Sequence, residues 1–238
     1  MSQKLQKASF WKRISAYVLD LMVMVAVAVA CGVALVSATH FKEHNQRIQA
    51  AYQQYEAEYG ISFELTEVEY LTMPEQQRQQ FDQAYAALIA DQEAMYAYNM
   101  TIYLTLGIVM VSILISVVLL EMIGPMFLGN CQTLGKRLFG LRVVRMDGSP
   151  VSTMSMMVRT MLGKYTIEIM IPVLMILLMF FNIIGAAGLF VAGGIVLLQM
   201  TLLGTSKNNL TIHDRLARTV VVDNIVADNT VDDNMVVD

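Results

Sequence analysis

The amino-acid sequence predicts an all-α integral membrane protein: a four-helix transmembrane bundle with an extracytoplasmic helical hairpin and a small cytoplasmic cap that includes a β pair. Three observations predict this fold class. Hydrophobic residues make up 56% of the 238 positions and charged residues only 15%, which is typical of polytopic membrane proteins. The apolar residues gather in runs long enough to cross a bilayer. The charged residues lie mainly between those runs, with bases and acids in different segments.

These patterns divide the chain into seven segments. They are, in chain order, 1–38 (cytoplasmic N-terminus and first transmembrane helix), 39–100 (extracytoplasmic helical hairpin), 101–123 (second transmembrane helix), 124–165 (cytoplasmic basic segment), 166–203 (third and fourth transmembrane helices), 204–222 (cytoplasmic motif and strand) and 223–238 (disordered acidic tail).

The distribution of Lys and Arg predicts the orientation in the membrane. Four of the sixteen lie in residues 1–13, six in 129–165 and three in 204–218. The other three lie in 39–100, where ten acids outnumber them. Because cytoplasmic loops carry the excess of Lys and Arg, we expect four crossings with both termini in the cytoplasm.

The polar insertion predicts two helices that extend the first two membrane helices outward. Long Gln, Ala, Tyr and Glu stretches at 41–59 and 75–99 favour helix. Gly60 ends the first of them, and Pro74 is expected early in the first turn of the second. We expect the tyrosine and phenylalanine stripes of these helices to form core or subunit contacts.

The second long apolar stretch, 166–203, is too long for one crossing. A single helix of that length would reach about 57 Å, against a bilayer core of about 30 Å. We therefore predict a break near Asn182, with Gly185 and Gly188, between helices at about 167–183 and 187–203. Pro172 is expected to kink the first of these helices. A re-entrant pair that does not cross is the alternative.

The basic segment predicts a short helix followed by a strand. Leu134, Leu138 and Leu141 recur at helical spacing, which is typical of an amphipathic helix at the headgroups. Residues 141–145 (LRVVR) then read as a strand, and 219–222 (TVVV) form a second strand-like run. We expect these two strands to pair. Contacts with anionic lipid are expected from three side chains here and at the amino terminus: Lys12, Arg142 and Arg145. A dedicated anion-binding pocket is the alternative.

A charged pair at the start of the first apolar run is the candidate functional site. Arg13 and Asp20 are seven residues apart, which places them on one helix face with Tyr17 between them. A carboxylate inside an apolar helix costs about 2.5–3.5 kcal/mol on insertion, so it normally faces protein, a partner charge or water. Asp20 is therefore an ion or proton site, or alternatively a structural lock between helices.

Three ordered sequence blocks point to a family. Residues 10–20 read FWKRISAYVLD, 133–144 read TLGKRLFGLRVV and 213–222 read HDRLARTVVV. This pattern resembles the RDD family, small bacterial membrane proteins named for one Arg and two Asp. The resemblance implies an integral protein of a bacterial inner membrane, and cation/proton antiport has been proposed for some members. By motif position the three name residues are Arg13, Asp20 and Asp214. Arg218 stands where the family often has Gly.

The resemblance and the charges together favour antiport of a monovalent cation (Na⁺, K⁺ or Li⁺) against protons. Asp20 would be the carrier, with Arg13 tuning it and Asp214 completing a cytoplasmic gate. If Asp20 and Asp214 share Arg13, the arginine lowers the pKa of both acids, as a structural lock requires. If Asp20 is buried without full pairing, its pKa is raised, as an antiporter requires. The sequence leaves both open. Four further residues are expected to support the site: Tyr17, Lys136, Arg137 and Arg215.

Transport by four helices is expected to need a homo-oligomer whose interface encloses the pathway. The alternative function is a non-catalytic membrane adaptor or assembly scaffold that binds a protein partner through residues 39–100. We expect no enzyme activity, since the sequence has no nucleophile–base pair or phosphate loop. No cofactor or nucleic-acid partner is expected. No metal site is expected either, because His40 and His44 lack a third ligand.

Overall fold

The computed structural model describes residues 8–128, 132–205 and 209–223. The predicted disorder of the acidic tail therefore lies outside the described residues, except for Asp223. In chain order the elements are α1 (Phe10–Ala38), α2 (Phe41–Tyr59), α3 (Glu67–Thr72), α4 (Glu75–Ala90), α5 (Gln92–Val117), a π-helix π1 (Val118–Ile123), α6 (Gly124–Leu128), α7 (Leu134–Leu138), β1 (Leu141–Arg145), α8 (Thr153–Met157), a π-helix π2 (Val158–Met170), α9 (Ile171–Phe180), α10 (Ala187–Thr205), α11 (Ile212–Leu216) and β2 (Thr219–Asp223).

The predicted fold class is confirmed. Within the described residues, four continuous helices are long and apolar enough to cross a membrane: Phe10–Ala38, Gln92–Ile123, Thr153–Phe180 and Ala187–Thr205. The contacts divide the chain into two compact units. The first comprises Met1–Cys31 with Met110–Asp238, and the second comprises Gly32–Val109.

In the first unit, serines on α5 pack against α1. The hydroxyl of Ser116 donates to the carbonyl of Met24 at 3.0 Å, and both Ser112 and Ser116 are buried. Small residues of this kind let two membrane helices approach closely. Two small residues of α1, Ala26 and Ala30, are exposed. Met24 provides the contact on α1.

The third apolar helix begins much earlier than predicted. It starts at Thr153 rather than near 167, and the hydroxyl of Ser152 accepts a hydrogen bond from the amide of Ser155 at its start. The predicted basic segment 124–165 is thus wrong at its end, because Arg159 and Lys164 lie inside the helix. The prediction had assigned these two charged residues to the loop before the helix. Buried carboxylates neutralise them and allow the helix to continue.

The break in the second apolar stretch lies where it was predicted. α9 ends at Phe180, and Asn182 and Gly185 follow with φ of +57° and +56°. These left-handed conformations turn the chain before α10 begins at Ala187. Pro172 is the second residue of α9, where π winding has just changed to α winding. Both resulting helices are long enough to cross, which favours the crossing pair over the re-entrant pair.

The two predicted strands pair, which confirms the small sheet. β1 and β2 are antiparallel, with Leu141 opposite Asp223 and Arg145 opposite Thr219. The predicted amphipathic helix is shorter than expected, since α7 ends at Leu138 and Gly140 follows with φ of +64°. Leu141 consequently opens β1 and is buried, instead of completing the helical stripe.

The second unit contains its own core. Gly60 ends α2 in a left-handed conformation, as predicted. The predicted helix 75–99 is interrupted at Asp91, whose carboxylate accepts hydrogen bonds from the amides of Glu93 and Ala94 at 2.9 and 3.1 Å. This capping begins α5 at Gln92, upstream of the predicted start at 101. The buried core residues are Ile48, Leu88, Ala94 and Ala97.

Candidate functional site

Asp214 lies at the centre of a buried ion-pair cluster in the first unit. Its side chain is fully buried, with Oδ2 at 2.6 Å from Nη2 of Arg13 and Oδ1 at 2.5 Å from Nη1 of Arg159. Burial raises the pKa of Asp214, but Arg159, His213 and Arg13 outweigh it and hold that pKa well below its usual range. Asp214 therefore stays ionised and joins α1, π2 and α11.

Asp20 has different partners from those the sequence suggested. Its carboxylate accepts hydrogen bonds from the hydroxyl of Thr133 at 2.5 Å and from the amide of Gly135 at 2.7 Å. Both donors are neutral. Among the described residues no cationic nitrogen pairs with Asp20, because Arg13 is occupied by Asp214 and by the carbonyl of Asn209. The two name aspartates thus belong to separate clusters.

A glycine permits the contact between α1 and α7. A Cβ atom at position 135 would lie 2.2 Å from the carbonyl oxygen of Ala16 and 2.9 Å from Oδ1 of Asp20. Only glycine fits such an approach without movement of the backbone. Gly135 therefore allows its own amide, and the hydroxyl of Thr133, to reach Asp20.

A second buried cluster lies between π1 and π2. Glu121 of π1 is buried and pairs directly with Lys164 of π2. Lys136 stands close by, with Nζ at 3.9 Å from Glu121 and at 3.3 Å from the hydroxyl of Thr133. Burial lowers the pKa of Lys136 to about 8, against the opposing effect of Glu121. Thr133 thus links Asp20 to this cluster.

A third cluster pairs Glu168 with His213. Nδ1 of His213 lies 2.8 and 2.7 Å from the two carboxylate oxygens of Glu168, and the backbone amide of His213 donates to Glu168 at 2.9 Å. The side-chain oxygen of Gln199, on α10, accepts from the amide of Ile212 at 3.1 Å. Burial and Arg159 lower the pKa of His213, which its acidic neighbours only partly oppose.

The close approach of α11 to π2 depends on another glycine. A Cβ atom at position 163 would lie 2.6 Å from Cβ and 2.7 Å from Cα of His213. Gly163 therefore lets the His213 backbone rest directly on π2, within reach of Glu168.

One cavity of about 320 Å³ connects the three clusters. Its polar wall is formed by side chains from α1, α7, π2 and α11, and much of its apolar wall by α10. The charged and polar lining residues are Arg13, Tyr17, Asp20, Lys136, Arg159, Lys164, Glu168, Gln199, Thr211 and His213. The ring of Tyr17 lies under the Lys164 ammonium, 5.7 Å from ring centroid to Nζ. The arrangement offers a polar, charge-lined space beside apolar helices.

Several other predicted residues lie apart from this cavity. Arg137 and Arg215 are exposed. Lys12 pairs with Asp223 at 2.5 Å, and Nε of Arg145 lies 3.8 Å from Asp147. The predicted lipid contacts of Lys12, Arg142 and Arg145 stay predictions. Within the described ranges, no group of three His, Cys, Asp or Glu residues is arranged to hold a metal ion.

Sequence reasoning missed five members of the clusters. They are Glu121, Arg159, Lys164, Glu168 and His213. Glu121 and Glu168 carried a usable signal, since each is an isolated acid at the end of or inside an apolar run. Of the other three residues, the sequence interpretation placed Arg159 and Lys164 in the basic loop and treated His213 only as part of a motif.

The comparisons with known proteins agree with this picture. A family model described as the RDD family matches residues 7–218, which includes all three clusters. No curated protein and no solved structure matches the chain.

Proposed function

The chain belongs to the RDD family, and from this membership and the site geometry we propose that it exchanges a monovalent cation for protons. In this proposal Asp20 is the cation-binding carboxylate. The partnering of Asp20 carries the argument. Its two hydrogen-bond donors, the Thr133 hydroxyl and the Gly135 amide, are neutral, whereas Asp214 receives two arginines. The Asp20 carboxylate therefore lines the cavity without a cationic partner among the described residues, and a bound Na⁺, K⁺ or Li⁺ would provide one.

This proposal changes the roles suggested for the other two name residues. Arg13 is held by Asp214 and by the carbonyl of Asn209, so it does not pair with Asp20. Asp214 is held by two buried arginines, which suits a fixed anchor better than a gate that opens. Arg13 and Asp214 are thus positioning residues that hold α1 and α11 in place around the cavity.

The size of the cavity and the charged side chains on one of its walls support a hydrated ion, although most of its lining is apolar. At about 30 Å³ for each water molecule, 320 Å³ has room for about ten waters. A cation would therefore reach Asp20 with part of its hydration shell, at a much smaller desolvation cost than in a dry site. Tyr17 adds an aromatic ring at the same wall.

Orientation and assembly complete the proposal. The protein is an integral membrane protein, and the excess of Lys and Arg in the segments flanking the apolar helices favours both termini in the cytoplasm of a bacterial inner membrane. The described residues of one copy line a partly open cavity. A homo-oligomer would supply the further walls that a complete pathway needs.

The test is cation-driven proton flux in proteoliposomes of the purified protein. We expect Na⁺, K⁺ or Li⁺ gradients to move protons with wild type, and Asp20→Asn to reduce that flux to the level of empty liposomes. Asp147→Asn is the matched control, because it removes an exposed carboxylate of the turn after β1 and should leave the flux unchanged. Circular dichroism checks that each variant is folded. Flux by Asp20→Asn at the wild-type rate would contradict the assignment of Asp20.

The adaptor function is the second candidate, and one observation favours it. The second unit has its own buried core and also exposes large apolar side chains, including Val68, Leu71 and Ile89. Exposed apolar groups on a folded insertion are typical of protein contacts. Absence of cation-driven flux by wild type across pH 6–9 would leave this candidate in place of antiport.

A further inference from the structure

We propose that the Glu168–His213 pair is the proton-binding site of the exchange, and that a proton there and a cation at Asp20 exclude one another. This inference rests on the antiport function proposed above. It places the proton at Glu168–His213 and the cation at Asp20. All three side chains line the same cavity.

The geometry gives His213 a neighbouring anion and access to water. Nδ1 lies 2.8 and 2.7 Å from the two oxygens of Glu168, so an N–H at this nitrogen donates to the carboxylate. The pair with a neutral imidazole carries a charge of −1, and it takes up one proton to become neutral overall. His213 lines the cavity, and water there can deliver that proton to the other ring nitrogen.

The balance of charge gives a reason for exclusion. Four basic and four acidic side chains form the clusters or line the cavity beside them, so their formal charges cancel when His213 is neutral. They are Arg13, Lys136, Arg159 and Lys164, with Asp20, Glu121, Glu168 and Asp214. One proton or one monovalent cation brings this group to +1. Both together bring it to +2, and like charges in a region of low dielectric repel strongly.

The hydrogen bonds around the imidazole suit both protonation states. Nε2 of His213 lies 3.0 Å from the hydroxyl of Thr211, which in turn lies 2.8 Å from Oδ2 of Asp214. With neutral His213, the hydroxyl donates to Nε2. With protonated His213, Nε2 donates to the hydroxyl oxygen, and the hydroxyl donates to Asp214. The same positions of the heavy atoms therefore satisfy the charged and the neutral imidazole.

The groups that face His213 act in opposite directions on its proton. Glu168 on π2 and its own neighbour Asp214 on α11 favour the charged imidazole, and Glu121 on π1 adds a weaker attraction. Burial and Arg159 on π2 oppose it, and they set the pKa of His213 below its ordinary value. A proton bound at this position is thus readily released when a further positive charge enters the cavity.

The test follows the protonation of His213 by nuclear magnetic resonance in lipid nanodiscs. The chain has three histidines, so the double variant His40→Gln/His44→Gln leaves His213 as the only imidazole signal. We expect saturating NaCl, KCl or LiCl to weaken proton binding at His213 about tenfold relative to choline chloride, a fall of about one pKa unit. The same salt should have no effect when Asp20→Asn is added.

Flux measurements provide the second readout. Glu168→Gln removes the anion that stabilises the charged imidazole, so we expect the flux to need a pH about one unit lower for half of its maximum. Asp147→Asn should keep the wild-type pH profile. A His213 titration that ignores the transported cation, or an unchanged profile for Glu168→Gln in a protein that still transports, overturns the proton site and leaves antiport standing. Absence of flux by wild type overturns both proposals.

Discussion

Replacing Asp214 by Asn tests whether the buried ion-pair cluster holds the first unit together. The carboxylate pairs with Arg13 at 2.6 Å and with Arg159 at 2.5 Å, and all three side chains are less than a tenth exposed. Asn keeps the shape but removes the charge, so two buried guanidinium groups lose their shared counter-charge. Breaking a buried ion pair on one side costs about 3–5 kcal/mol. We expect Asp214→Asn to lower the free energy of unfolding by this amount.

A lower cost would need other groups to satisfy the two arginines. Arg13 keeps the carbonyl of Asn209 and Arg159 keeps the hydroxyl of Thr219, each at 2.5 Å. These acceptors provide hydrogen bonds but no negative charge, so the expected loss lies within the range for a broken buried pair rather than near zero.

The assay is denaturant unfolding in mixed micelles, followed by the helical circular dichroism signal. Asp223→Asn is the matched control, because Asp223 pairs with the partly exposed Lys12 and such surface pairs contribute about 0–1 kcal/mol. If Asp214→Asn lost no more stability than Asp223→Asn, the buried cluster would not be what joins α1, π2 and α11.

Two further predictions follow from the described contacts. Gly163→Ala should lower the free energy of unfolding by about 1–3 kcal/mol, because its Cβ atom would lie 2.6 Å from Cβ of His213. Gly193→Ala in α10 meets nothing within 4 Å and should be neutral or gain about 0.5–1 kcal/mol, so equal stability of the two variants would contradict the close approach. Lys136 has its pKa lowered to about 8 by burial, so it loses its positive charge as the pH rises through 8, and cation binding near Asp20 should then strengthen. The Lys136→Arg variant stays charged at these pH values. Above pH 8, the Na⁺ concentration that gives half-maximal flux should therefore fall less for this variant than for wild type. Identical pH profiles would show that Lys136 does not influence the cation.

The elements that rest on local patterns could be predicted from the sequence. The valine-rich runs at 141–145 and 219–222 predicted both strands and their pairing, and Asn182 with Gly185 predicted the turn between the last two membrane helices. Local chemistry is sufficient here because β-branched residues and turn residues leave a direct trace in the sequence.

The partners of the charged residues could be predicted only in part. The sequence left open whether Arg13 pairs with Asp214, and the structure brings the two side chains together. The contact of Asp20 with Thr133 and Gly135 depends on how closely α7 approaches α1, which no local pattern records. Tertiary approach of this kind is set by packing rather than by sequence spacing.

The winding of π2 brings together charged side chains that the sequence interpretation did not group on one helix face. Arg159 and Lys164 are five residues apart, which in an α-helix places them about 140° apart around the axis. A π-helix joins residue i to residue i+5 by its hydrogen bonds, so it brings these two side chains towards the same side, and both line the cavity with Glu168. A search for helical periodicity near 3.6 residues therefore does not recognise this set of charges as one face.

The same winding affects how related chains should be compared. In π2 the spacing between Arg159 and Glu168 is matched to the π geometry and not to an α-helix. A relative whose third membrane helix is wound entirely as α would need about two residues fewer between these positions to present the same charges. Alignment gaps inside this helix would then record a change of winding rather than the loss of a site, and motif searches with fixed spacing would miss such relatives.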